Sequence, residues 1–213
     1  MRLRYWFDCV FYSIVKTFLW FLLKTYFRVH YHGRENIPPN GPLLIACHHS
    51  SFLDPVLAGF GVPRIVSYLA RDSLFRPPLK WLIEHLFTYP ITRDSGDFGA
   101  IRTIQQLLRR NRAVLLFPEG TRSPDGRVCP FKPGIGLMAM RTQVPVLPVY
   151  IRGAFESWPR GKKLPSPARI QVVYGPILNP KSYCDLPRNR EGFSQLTREI
   201  ENRVKNLEKE TIL

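Results

Sequence analysis

Short apolar runs alternate with stretches of helical apolar spacing along most of this chain. Residues 43–47, 64–70, 89–92, 113–117, 146–151 and 169–174 read as strands, short and apolar enough to be buried on both faces. Between them, residues 55–61, 79–87, 97–111, 134–141 and 191–209 carry helical patterns. In the 97–111 segment Ile101, Ile104, Leu107 and Leu108 share one face, and Arg102, Arg109, Arg110 and Arg112 crowd the end. A helix dipole favours cations there, and phosphate contact is a second reading of the same cluster. Strand–helix alternation of this kind predicts an α/β domain built on a mixed, largely buried β-sheet flanked by helices.

The first residues follow another pattern. Residues 5–27 are rich in aromatic and aliphatic side chains, and Lys16 is the one charge between Cys9 and Leu23. On a helical projection Cys9, Ser13, Lys16, Thr17 and Lys24 fall on one arc, and Phe11, Ile14, Val15, Phe18, Leu19 and Leu22 fill the opposite side. Trp6 and Trp20 lie near the polar arc, and Arg2, Arg4 and Arg28 flank the segment. A broad apolar face with basic flanks predicts a helix lying in a membrane surface, the alternative being a core helix packed on the domain. The apolar run is shorter and less clean than a spanning helix requires, and no small-residue cleavage site follows it. Residues 35–42, with three prolines and a glycine, break structure after it. The expected division is therefore a membrane-associating segment, 1–32, and an α/β domain, 33–213. Removing residues 1–28 is expected to lower membrane binding more than it unfolds the body.

Composition sharpens this picture. The chain has 213 residues, 45% of them hydrophobic, which is enough for a real core. Its formal net charge of +15 favours an anionic partner: a phospholipid surface, a nucleic acid or an acidic substrate. Cys9, Cys47, Cys129 and Cys184 have no metal-ligand spacing and read as thiols in a reducing compartment. No metal site and no internal repeat is apparent.

Two polar clusters end two of the apolar runs. The first is His48-His49-Ser50-Ser51-Phe52-Leu53-Asp54-Pro55. Pro55 suits the first turn of a helix, so Asp54 could cap it, and Ser51 and Asp54 match a capping pattern. The chemical reading folds His49 back onto Asp54. The carboxylate would then fix the imidazole tautomer and leave the other ring nitrogen as a base near neutrality. The second cluster is Phe117-Pro118-Glu119-Gly120-Thr121-Arg122-Ser123. Gly120 permits a sharp turn close to a ligand. Arg122 can hold a phosphate bidentately, and Glu119 can accept a hydrogen bond from a substrate hydroxyl. A turn with a surface ion pair is the plainer reading of this loop.

These two clusters resemble the first and third motifs of the glycerolipid acyltransferases, in particular those acting on lysophosphatidic acid. Val144-Pro145-Val146-Leu147-Pro148-Val149 is similar to the fourth motif, tied in the family to the acyl donor, so Val144, Pro145 and Pro148 are implied there. Tyr89-Pro90-Ile91-Thr92-Arg93 occupies the place of the second. The resemblance spans residues 33–180 and departs from the family at His48, Phe87 and Pro90. It implies transfer of a fatty acyl group from acyl-CoA or acyl carrier protein to the free hydroxyl of lysophosphatidic acid. His49 would be the base, oriented by Asp54. Arg122 with Arg93 would hold the phosphate, and Glu119, Gly120 and Thr121 would shape the substrate site. No metal or redox cofactor is expected, the acyl thioester being a co-substrate. Glycerol 3-phosphate or another lysophospholipid is the alternative acceptor.

Two other classes compete. A non-enzymatic basic membrane- or nucleic-acid-binding module would explain the charge, but no nucleic-acid motif is present and the aromatic residues gather in the N-terminal helix. A hydrolase would need a nucleophile; Ser50 and Ser51 are near His49, yet there is no Gly-x-Ser-x-Gly elbow. The expected location is the cytoplasmic face of an anionic membrane, held from one side, with no nucleic-acid partner.

Overall fold

A computed structural model describes residues 2–91 and 98–210. Thr92, Arg93 and Asp97, which the sequence placed at a strand end, in the phosphate site and at a helix start, lie outside these residues. The elements run in the order α1 (Arg2–Thr25), β1 (His30–His32), β2 (Leu43–Cys47), α2 (Asp54–Phe60), β3 (Val66–Arg71), α3 (Leu79–His85), β4 (Thr88–Ile91), α4 (Phe98–Arg109), β5 (Ala113–Leu116), α5 (Gly134–Thr142), β6 (Val146–Arg152), α6 (Ala154–Ser157), β7 (Gln171–Tyr174) and α7 (Arg190–Glu210).

One mixed sheet holds them together, in the order β1-β7-β6-β2-β5-β3-β4. The five strands from β6 to β4 are parallel; β7 runs against β6, and β1 runs with β7. β2 lies near the centre, and all five of its residues are buried. Their alternation divides the core. Leu43, Ile45 and Cys47 face α1 and α2, packing with Tyr12, Leu23 and Leu57. Leu44 and Ala46 face α4, α5 and α7, packing with Leu107, Met138 and Ile200. A near-continuous apolar run is what a strand buried on both faces requires.

The connections place the site. From β2 the chain leaves through α2 on one face; from the neighbouring β5 it leaves through α5 on the other. Adjacent parallel strands whose connections diverge open a crevice at their C-terminal ends.

Several boundaries move from the expected ones for local reasons. The helix expected over 79–87 ends at His85, because Phe87 turns into the left-handed region at φ 56°. That of 97–111 ends at Arg109 before Asn111 at φ 57°. β1 was not foreseen: His-Tyr-His is too short and polar to read as a strand, yet it pairs with β7 at the sheet edge. Residues 30–32, grouped by sequence with the N-terminal segment, thus belong to the sheet.

The helix α1 inverts the usual arrangement. Cys9, Tyr12, Leu19 and Leu23 pack on the body, while Trp6, Ile14, Phe18 and Phe21 are each more than 60% exposed. Of its polar arc, Lys16 turns to the body and donates to the Val62 carbonyl, while Ser13 and Thr17 are exposed. The sequence predicts a run too short to span, but the helix carries it further: residues 4–25 are, by length and composition, long and apolar enough to cross a membrane.

Candidate active site

Asp54 opens α2 but caps nothing; the cap position is Leu53 and carries no side-chain cap bond. The fully buried Asp54 carboxylate points back along the chain instead. Its Oδ2 accepts from the backbone N–H groups of Ser50 and Ser51, each at 2.6 Å, and lies 2.8 Å from His49 Nδ1. The residues after β2 therefore wrap around a carboxylate, and that wrapping aims the histidine. Between the two readings of this stretch, the geometry selects the His–Asp pair. An ionised Asp54 holds the proton on Nδ1, so Nε2 presents a lone pair. The imidazole is one-fifth exposed and stacks on Phe117, with ring centroids 4.1 Å apart.

Phe117 brings in the second loop. Ser123 N–H donates to the His49 carbonyl at 2.7 Å, and His49 N–H donates to Glu119 Oε1 at 3.3 Å. The two clusters form one site because β2 and β5 are neighbours with Ala46 opposite Leu116. Gly120 sits at φ 74°, and a Cβ there would come within 2.7 Å of Lys132 Nζ. Lys132 is a cation beside the turn that no motif or spacing singles out.

Glu119 is nearly inaccessible, and its Oε2 has no partner among the described residues. Burial is the main cause that pushes its carboxyl up to about 8, opposed by the hydrogen bonds from the His49 and Cys129 backbone. Near neutrality Glu119 therefore carries its proton and can donate from it. The sequence had given it only an acceptor's role.

Arg122 sits over Phe52, its guanidinium carbon 3.5 Å from the ring centroid, and its Nη1 is buried without a partner among the described residues. Burial and the charges of Arg160 and Arg71 hold its pKa down. These two arginines join Arg122 in an electropositive cluster that the motif spacing had not revealed. Thr121 is exposed beside it.

His48 is buried and stacked on Tyr150, and Ile151 N–H donates to its Nδ1 at 3.4 Å. Burial lowers its pKa to about 4, so it is neutral and ties the loop to β6. Ser51 Oγ donates to the Trp158 carbonyl, and Ser50 Oγ is buried without a partner. Neither serine is engaged by His49 as a nucleophile would be. Val144 and Pro145 stand just before β6, whose first residue Val146 lies opposite Leu44 at the entrance of β2, whereas His49 follows the exit of β2. Pro148 lies within β6, opposite Ala46. Val144 and Pro145 thus lie toward the far end of β2 from the His–Asp pair, and Pro148 lies between. Among the described residues, no group of three or more His, Cys, Asp or Glu side chains could hold a metal ion.

Known proteins resemble this chain in sequence and fold. The Acyltransferase family model matches residues 28–152, which contain both loops. A 1-acyl-sn-glycerol-3-phosphate acyltransferase from Bacillus subtilis is 28% identical over 184 residues, covering 84% of this chain and 88% of that protein. The Pseudomonas aeruginosa protein of the same name is 30% identical over 174 residues, covering 78% of this chain and 67% of its own. A chloroplastic relative from Brassica napus, BAT2, is 28% identical, and the match spans 53% of its length. Among solved structures, the 1-acyl-sn-glycerophosphate (LPA) acyltransferase PlsC from Thermotoga maritima superposes with a TM-score of 0.71 at 25% identity, over 97% of this chain and 94% of that one.

Proposed function

The chain belongs to the Acyltransferase family, and from that premise we propose that it esterifies the free hydroxyl of lysophosphatidic acid with a fatty acyl group taken from a thioester. The observation that carries this reading is the 2.8 Å contact between His49 Nδ1 and Asp54, with Glu119 joined to the His49 backbone in the same crevice. His49 Nε2 takes the proton of the acceptor hydroxyl as its oxygen attacks the thioester carbonyl carbon. Asp54 stabilises the imidazolium that results. The tetrahedral intermediate then breaks its C–S bond, and the departing thiolate takes the proton from His49. The hydroxyl is itself the nucleophile, which agrees with the absence, among the described residues, of a hydrogen bond from Ser50 or Ser51 to the imidazole.

The acceptor's phosphate belongs in the electropositive cluster of Arg122, Arg71 and Arg160, with Lys132 beside the Gly120 turn. Arg93 is proposed to join them, as the family's second motif implies. The protonated Glu119 would donate to an oxygen of the glycerol backbone. Acyl-CoA or acyl carrier protein is the proposed donor, and both are anionic, as suits the chain's charge. The exposed apolar face of α1 supports attachment to an anionic membrane from one side. The free thiols of Cys9, Cys47, Cys129 and Cys184 suit its cytoplasmic face.

Purified protein incubated with lysophosphatidic acid and palmitoyl-CoA, or palmitoyl acyl carrier protein, should form phosphatidic acid, read by mass spectrometry. His49→Ala should abolish product while keeping the wild-type thermal transition. Full turnover in that variant would remove the base and with it the mechanism. Thioester cleavage without acceptor, at the wild-type transfer rate, would turn the reading to a hydrolase.

A further inference from the structure

On the body-facing flank of α1, away from the catalytic crevice, lies a groove of about 470 Å³. Ser13, Lys16, Thr17 and Trp20 form its helical wall. The opposite wall comes from Arg34 and from Arg64, in the segment leading into β3. That segment precedes a strand, whereas His49 and Glu119 follow strands parallel to it, so the groove and the crevice lie at opposite ends of the sheet.

Three cations line this groove, and no Asp or Glu does. None of the three takes part in an ion pair among the described residues. Arg64 spends Nη1 on the Gly41 carbonyl, while its Nε and Nη2 are buried without a partner. Burying guanidinium donors unpaired is costly unless a ligand completes them. Lys16 is partly buried and feels the Arg34 charge. Like charges held together in a concave, partly dry site call for an anion. The groove shares Arg64 and Ile65 with a second hollow of about 500 Å³ that holds Arg112.

The anion's nature follows from the other wall. Trp20 borders the groove, and beyond it the apolar face of α1 carries Ile14, Phe18 and Phe21 into the open. A soluble anion would use the cations and ignore this face. A glycerophospholipid would use both, with its phosphate on the guanidinium and its chains along the helix. We propose that the groove formed by Lys16, Arg34 and Arg64 beside Trp20 binds the phosphate of an anionic glycerophospholipid, at a site separate from the one that binds the acceptor.

The test uses the full chain carrying Arg122→Ala, which weakens phosphate binding in the crevice, and reads binding rather than turnover. Dihexanoyl phosphatidylglycerol below its micelle concentration is titrated by calorimetry, with inorganic phosphate and dihexanoyl phosphatidylcholine in parallel. The phosphatidylglycerol should bind at one site, and the other two ligands at least about tenfold more weakly. Arg34→Gln, on an exposed side chain whose loss is not expected to unfold the protein, should weaken it about tenfold, and Lys16→Met with Arg64→Gln further still. Undiminished affinity in Arg34→Gln and in Lys16→Met/Arg64→Gln would overturn the proposal. Equal affinity for inorganic phosphate would make the groove a simple anion site and overturn the lipid assignment. Because turnover is not read, failure of the acyl-transfer mechanism would leave this result intact.

Discussion

At the scale of single residues, the site turns on carboxyl groups placed by backbone amides. Asp54 is buried, and its Oδ2 is supplied with donors from residues 50 and 51 and from His49, while its Oδ1 has no partner among the described residues. Glu119 is buried with one oxygen unpartnered, and its proton is retained well above the ordinary value of 4.5. Retention has a thermodynamic consequence. Below pH 4.5 the group is protonated in both the folded and the unfolded chain. From there to about 8 the unfolded chain releases the proton and the native state keeps it, so stability falls as pH rises through that window. In Glu119→Gln this loss is absent. Urea unfolding of both proteins across the window should show the wild type weakening with pH relative to the variant, and parallel curves would mean that Glu119 ionises freely in the native state. The sequence could place the two motif loops and name His49 and Asp54, because chemistry-bearing residue types at fixed spacing are visible without coordinates. It could not show the protonation of Glu119, which depends on how fully neighbouring strands dry the crevice. Nor could it find Arg71, Arg160 and Lys132, which reach the loop from three separate parts of the chain.

The elements show the same division between what is local and what is not. The strands β2, β5 and β6 were legible as apolar runs because they are covered on both faces. β1 escaped because an edge strand needs no apolar pattern, and α3 stops two residues early because Phe87 adopts a positive φ. The small-residue character of α5 has a reason that emerges only in the packing. A Cβ on Gly136 would lie 2.1 Å from the Phe193 carbonyl oxygen, a backbone atom of α7 that cannot swing aside. Thr197 Oγ1 meanwhile accepts from Gly136 N–H at 3.2 Å. The two helices thus touch through their backbones. Gly136→Ala should force them apart and cost about 1–3 kcal/mol, measured as a lowered denaturation midpoint with an unchanged slope. A variant as stable as the wild type would show that α7 shifts without loss.

Across the whole molecule, the apolar face of α1 is the surface that packing within the described residues leaves uncovered. A helix of 24 residues, about 36 Å long, is docked by Tyr12 and Leu23 and yet leaves Ile14 at 63% and Phe18 at 69% exposure. Beside it α3 adds Trp81, edge-on to Phe11 and 54% exposed. So large a contiguous apolar surface is unusual on a protein surrounded by water and is expected where lipid is the neighbour. Removing residues 1–28 is a poor probe of this, because Tyr12, Leu23 and Phe27 belong to the core and their loss would strip it. Replacing the outward residues separates the two roles. Ile14→Ser and Phe18→Ser should leave thermal unfolding in neutral buffer within about 0.5 kcal/mol of the wild type. Each should also lower partitioning into vesicles with anionic lipid by about tenfold or more, since each removes a side chain whose burial in hydrocarbon is worth about 1.5–3 kcal/mol. The binding that remains should fall with added salt, because it rests on a net charge of +15. If co-sedimentation is unchanged in both variants, lipid does not meet this face of α1, and the exposed ridge must be covered by something other than a membrane.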